Sequence, residues 1–201
     1  MTKILLFFLL LGWSAQAQNA DIEILRSIYT PGVQPGDELF QTITDSYPVF
    51  VVGVPLTAGV VALITKDKLA LNQAIELSTS VLMNGGLVLV TKYAFKRKRP
   101  FETYMDIVAK DVESGPSFPS YHTAAAFNTA TSLSLTLPKW YVILPGYLWA
   151  GSVGYSRMRL GVHYPSDVLA GAVIGAGSAW INHKINAWYQ STQRTKHGKY
   201  E

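Results

Sequence analysis

Residues 47–64 carry no charged side chain, and no other feature of the chain limits its fold so strongly. An apolar run of this length is just long enough for a helix to cross a thinned or modest bilayer. A helix can do so because it satisfies its own backbone polar groups, and Pro48 and Pro55 are tolerable inside it. Lys66 and Lys68 close the run. A second candidate span, 69–90, contains Asn72, Gln73, Glu76 and Asn84, which must face neighbouring helices or water; for Glu76, nearby Asn72 and Ser80 offer satisfaction on its own helix face. Apolar segments at 119–137, 140–156 and 167–183 complete the expected architecture: an all-α bundle with five transmembrane helices. Gly171 and Gly175 give the last of them the small-residue spacing that lets helices approach closely. Composition agrees, since hydrophobic residues make up 49% of the chain and charged ones only 15%, against roughly 25% charged in soluble domains.

With 201 residues and no cysteine, the chain suits one domain and excludes both a disulfide framework and a thiolate metal site. Residues 1–17 read as a signal peptide. Lys3 supplies the positive start, Ile4 to Leu11 the apolar run and Ala15-Gln16-Ala17 the cleavage pattern; an uncleaved first anchor is the alternative. Residues 18–46, with Glu23, Leu25 and Ile28 before the Pro31-Gly32 and Pro35-Gly36 turns, read as an interfacial segment, and 184–201 as a polar tail. The net charge of +4 comes from short basic clusters rather than a sustained basic face. That pattern argues against nucleic acid and for a membrane surface and anionic substrates.

Starting outside and crossing five times, the chain puts Lys66, Lys68, Lys139 and the tail cations inside, as the positive-inside bias prefers. Lys96, Arg97, Lys98 and Arg99 then lie outside against that bias. Anion binding explains Lys92 and Arg99, whose seven-residue spacing would put them on one helix face; Lys96, Arg97 and Lys98 read as a patch for anionic headgroups. Arg99 and Arg157 offer planar forks and Lys92 a point charge. A helix beginning at Pro119 would aim unpaired N–H groups at the same anion, with Ser120 adding a hydroxyl. His163 stands four residues before Asp167, the spacing of an imidazole and its orienting carboxylate. These types suit phosphoryl transfer: His163 as nucleophile, His122 as acid and then base, and fixed cations for the charge on the equatorial oxygens. The crowd of cations would repel a divalent metal, so no cofactor is expected.

Three motifs in order, Lys92 through Arg99-Pro100, Pro119-Ser120-Tyr121-His122, and Ser156-Arg157 through His163 and Asp167, resemble those of the type-2 phosphatidic acid phosphatase superfamily, which includes vanadium haloperoxidases and bacterial class A acid phosphatases. The resemblance spans roughly residues 47–183. It implies the same catalytic roles for His163, His122 and Asp167, and phosphate binding by Lys92, Arg99, Ser120, Tyr121 and Arg157. One departure stands out, because the family usually has Gly where this chain has Tyr121. A helical backbone there keeps the N–H available, whereas a positive φ would strain the tyrosine. The expected activity is metal-independent hydrolysis of a lipid phosphate or diphosphate, such as an isoprenyl diphosphate, phosphatidic acid, phosphatidylglycerol phosphate or a lipid A phosphate. It would take place at the periplasmic face of an inner membrane. A soluble periplasmic acid phosphatase, a vanadate-dependent haloperoxidase and a non-catalytic phosphate-binding membrane protein are the alternatives.

Overall fold

The computed structural model describes residues 19–197. The expected signal peptide and the last four residues lie outside the described residues. All regular structure among the described residues is helical: α1 (19–28), α2 (Asp37–Asp45), α3 (Tyr47–Thr65), α4 (Lys68–Phe95), α5 (Pro100–Thr103), α6 (Tyr121–Thr136), α7 (Trp140–Arg159) and α8 (Pro165–His197).

The helix boundaries follow local chemistry. Helix α3 stops where Lys66 takes the left-handed conformation at φ 53°, and Asp67 then starts α4 by accepting a 2.9 Å bond from the Leu69 N–H. Helix α4 runs 28 residues and ends at a second left-handed lysine, Lys96, so it extends past the expected 69–90. The start of α6 differs from the expectation that Pro119 would be its first residue. Pro119 follows a cis peptide bond, and Ser120 occupies the cap in an extended conformation. Helix α8 begins at Pro165 rather than 167 and continues through His197, because no Gly or Pro lies between Gly177 and Gly198 to stop it. The stretch from 184 that reads as a polar tail is therefore largely helical.

Two segments, Asp37–Thr65 and Lys68–Thr103, are long and apolar enough to cross a membrane. In the first, only 11% of the most apolar window is buried within the protein. Val49, Val52, Leu56, Val60, Leu63 and Ile64 of α3 all stand more than half exposed, whereas the core helix of a water-soluble domain buries such residues. Helix α6 differs in kind. It lies at the centre of the bundle and buries nine of its 16 residues, among them Ala124, Ala125, Ala126 and Ala130. A helix enclosed by α4, α7 and α8 needs small side chains for close packing more than it needs long apolar ones for lipid.

The tightest contact is between α6 and α8. A Cβ added at Gly175 would lie 2.2 Å from the Ala124 carbonyl oxygen, and one at Gly171 would lie 2.6 Å from that of Ser120. Both obstacles are backbone. Polar side chains fill the α4–α6–α8 seam: Asn128 donates to Ser80 at 2.9 Å and to Ser178 at 3.0 Å, and Ser80 shares a 2.8 Å bond with Ser132. Glu76 is satisfied from α8, through His183 at 2.6 Å and Asn186, rather than by Asn72 and Ser80 on its own helix. At the opposite end of the bundle, Ile22, Leu25 and Tyr29 pack against Ile107 and Tyr164. This draws the N-terminal segment into the core beside the loop before α8. Gly175→Ala should lower stability in detergent by about 2 kcal/mol or more, because overpacking here can be relieved only by moving a helix; denaturant unfolding of the purified protein measures it.

Candidate active site

Helix ends bring the three motifs together at one end of the bundle. Lys92 lies in the last turn of α4, Arg99 caps α5, and Ser120 caps α6. Arg157 lies in the last turn of α7, His163 on the following turn, and Asp167 in the first turn of α8. Ser120 N–H donates to the Asp167 carbonyl at 3.0 Å, which ties the second motif to the third. The shared helical face expected for Lys92 and Arg99 is not how they meet, since α4 ends at Phe95. The chain turns at Lys96, and both side chains then grip the same loop: Lys92 Nζ donates to the Pro116 carbonyl, Arg99 Nε to that of Gly115 (3.0 Å) and Nη2 to that of Ser114 (3.1 Å).

His163 is 1% exposed and Asp167 fully buried. The imidazole Nδ1 lies 3.5 Å from Asp167 Oδ2, and Nε2 lies 3.3 Å from Arg99 Nη1. With the proton on Nδ1, the Nε2 lone pair accepts from the guanidinium and faces the cationic side of the site. Burial pushes the imidazole down to about 4; Asp167 opposes that shift, and the Arg99 and Arg157 charges add to it. The ring is thus neutral at physiological pH. Asp167 is itself locked. Ser117 Oγ donates to Oδ2 at 2.5 Å, the Tyr164 N–H donates to the same oxygen at 3.0 Å, and Arg97 Nη1 donates to Oδ1 at 2.7 Å.

Arg97 corrects the sequence expectation that placed it in a headgroup patch. Its guanidinium bridges Asp167 and Asp21, the latter at 2.6 Å, and lies over the Tyr164 ring at 3.9 Å from the centroid. It therefore supports the carboxylate that orients His163, and α1 contributes to the site through Asp21.

Arg99 and Arg157 are 2% and 0% exposed, and a carboxylate missed by the sequence reading joins them. Glu113 Oε2 accepts from Arg99 Nη2 at 2.8 Å, and its Oε1 accepts from Arg157 Nη2 and lies 3.5 Å from His122 Nδ1. Arg157 is further held by Asp111 at 2.7 Å and Thr44 at 2.8 Å, while its buried Nε has no hydrogen-bond partner among the described residues. His122 stacks edgewise on Tyr47 of α3, centroids 4.2 Å apart. Tyr121 is the first residue of α6 and is absent from the residues with positive φ, so its backbone is helical and unstrained; its ring packs edgewise on Tyr47 at 6.1 Å. The Ser120 hydroxyl shares a 2.9 Å bond with Thr123 Oγ1 and is fully buried, which makes helix capping its visible role. No group of three or more His, Asp or Glu side chains among the described residues is placed to hold a metal ion. Two buried guanidinium groups, a nearby lysine and a neutral imidazole have the charge and the donors that an oxyanion requires.

The position of His163 has a consequence for stability. An imidazole whose folded value lies below its unfolded value of about 6.5 takes up its proton more readily in the unfolded chain. Stability is therefore complete above about pH 6.5 and is lost as pH falls toward 4. Thermal unfolding across this range should show that loss, and His163→Gln should shrink it.

A family model of the PAP2 superfamily matches residues 73–191. An undecaprenyl-diphosphatase from Sulfolobus acidocaldarius is 32% identical over 143 residues, covering 68% of this chain and 64% of that protein. A lipid A 4'-phosphatase from Bacteroides thetaiotaomicron is 41% identical over 81 residues, 38% of this chain and 36% of that protein. The chain thus spans less than two thirds of the length of these curated relatives. Among solved structures, a transmembrane PAP2-type phosphatidylglycerolphosphate phosphatase from Bacillus subtilis superposes with a TM-score of 0.69 at 26% identity, covering 92% of this chain and 95% of that one. Aquifex aeolicus LpxE gives 0.68 at 28%, covering 82% and 95%. The motifs, the fold and the matched residues agree, and the chain belongs to the PAP2 superfamily.

Proposed function

We propose that this protein hydrolyses a lipid phosphate or diphosphate through a phosphohistidine intermediate on His163, at the periplasmic end of a five-span membrane bundle reached by signal-directed export. The observation that carries the reading is the placement of His163. Its Nε2 faces the guanidinium cup, and Asp167 stands behind Nδ1. In the first step the Nε2 lone pair forms a bond to phosphorus while the bond to the leaving oxygen breaks, and Asp167 stabilises the imidazolium that develops. His122 donates its proton to the leaving oxygen. In the second step water attacks phosphorus, gives a proton to His122 and displaces His163, which releases inorganic phosphate. Arg99, Arg157 and Lys92 hold the equatorial oxygens, helped by the Tyr121 N–H at the start of α6. Three fixed positive charges supply what a divalent metal supplies elsewhere.

A lipid substrate fits the surroundings of the site. A groove of about 580 Å³ runs along α3 past Val49, Phe50, Val54 and Val61, with Leu77 and Leu133 on its far wall. It starts within a turn of Tyr47, whose ring touches His122, and Val49 to Val61 measures about 18 Å along the helix. A hydrocarbon tail lying there would leave its phosphate near the arginines. The names of the relatives point the same way, being phosphatases of undecaprenyl diphosphate and lipid A.

Phosphate release from a panel of micellar lipid phosphates and diphosphates tests the proposal. Wild type should turn over at least one of them in the presence of chelator, and His163→Ala should lose more than about 10³-fold. Equal activity in the two would contradict the mechanism. Because the nucleophile must be neutral, kcat/KM should fall on the acid side only as pH approaches about 4.

A further inference from the structure

Glu113 occupies the position where the proposed reaction needs a phosphate. Its carboxylate bridges Arg99 and Arg157 and lies beside the proposed proton donor. The side chain is 12% exposed, yet its neighbours Val112 and Ser114 on the 104–120 loop are exposed, Val112 at 98%. Rotation of the side chain alone carries the carboxylate toward this exposed stretch and leaves the Ser114 and Gly115 carbonyls on Arg99. The loop is held on either side of it: Asp111 bonds Arg157, Lys110 N–H donates to the Leu160 carbonyl at 3.0 Å, and Ser117 N–H donates to that of Arg97 at 2.8 Å.

We propose that Glu113 is a specificity-determining residue: an internal anion that substrate must displace, which admits phosphate monoesters and diphosphates and turns away phosphodiesters. The inference rests on the phosphatase reading and follows from charge. With Glu113 displaced, Lys92, Arg99 and Arg157 face Asp111 as the one carboxylate still bonded to either guanidinium among the described residues. The cup then has two net positive charges, and a monoester dianion neutralises them. A phosphodiester brings a single negative charge. Exchanging Glu113 for it replaces one monoanion by another, gains no Coulomb energy and loses an intramolecular partner already in place. In a membrane the competing headgroups are overwhelmingly phosphodiesters at high local concentration, so a site open to any phosphate would be permanently occupied.

Soluble probes separate this effect from membrane binding. Affinities for methyl phosphate, a dianion, and dimethyl phosphate, a monoanion, are measured by protection against thermal unfolding, a readout independent of turnover. In wild type the dianion should bind and the monoanion should protect weakly or not at all. In Glu113→Gln, and in Glu113→Ala should the amide variant not fold, neither ligand has a carboxylate to displace, so both should bind about tenfold more tightly, equivalent to 1.4 kcal/mol, and dimethyl phosphate should now protect. A carboxylate serving only as a strut gives the opposite result, since its removal lets the arginines relax and weakens both. Unchanged or weakened binding in the variants, with methyl phosphate still bound by wild type, overturns the role of Glu113 alone. Failure of wild type to bind methyl phosphate overturns the phosphatase reading beneath it.

Discussion

Two guanidinium groups with almost no exposure, Arg99 and Arg157, set the terms for the rest of this structure. Buried cations are costly unless paired and fully hydrogen-bonded, and here the pairing is spread over several segments. Arg99 draws on the carbonyls of Ser114, Gly115 and Val162 and on Glu113; Arg157 draws on Thr44, Asp111 and Glu113. Satisfying the two charges fixes the 111–116 loop, the end of α2, the turn after α7 and the start of α5 relative to one another. The same demand concentrates positive charge beside His163, with Glu113 bridging the two guanidinium groups.

The packing of the bundle serves this arrangement. Glycines at 171 and 175 bring α8 against the backbone of α6, and the Ser120 N–H to Asp167 carbonyl bond closes that contact at its upper end. The close approach places the start of α6, with Tyr121 and His122, next to the start of α8, with Asp167. Arg97 and Asp21 then lock Asp167 from the other side, so the orientation of the His163 ring is set by charges belonging to α1, the α4–α5 connection and α8 together. A site built this way depends on helix ends, and a shift in any one helix is felt at the imidazole.

Much of this was legible in the chain. The helical class followed from the uncharged 47–64 run and the residues bounding it, and the three motifs that the structure gathers at one end of the bundle were picked out by chemical type, spacing and order. His163 with Asp167, and Arg99 with Arg157, are brought together as expected. What escaped was set by tertiary geometry. Glu113 and Asp111 sit in a loop whose acid-rich composition reads equally well as a solvated turn; an acidic residue between two anion-binding motifs was the one available signal. Arg97 was assigned to the surface because the left-handed turn at Lys96, which redirects the chain after α4, has no marker such as Gly or Asn. Ser120 caps α6, a position that sequence alone does not separate from a phosphate contact because both call for the same residue type. The position of the α8 end was missed because its polar composition hides an unbroken helical register.

The proposed mechanism requires His163 to take the phosphoryl group. The direct measurement is mass spectrometry of protein incubated with a turned-over lipid phosphate and quenched in alkali, which preserves a phosphorus–nitrogen bond. A phosphoryl mass is expected on the peptide containing His163, removed by brief acid treatment and missing from His163→Ala. A phosphoryl group on His122 or on a serine, or turnover by His163→Ala at the wild-type rate, would contradict it.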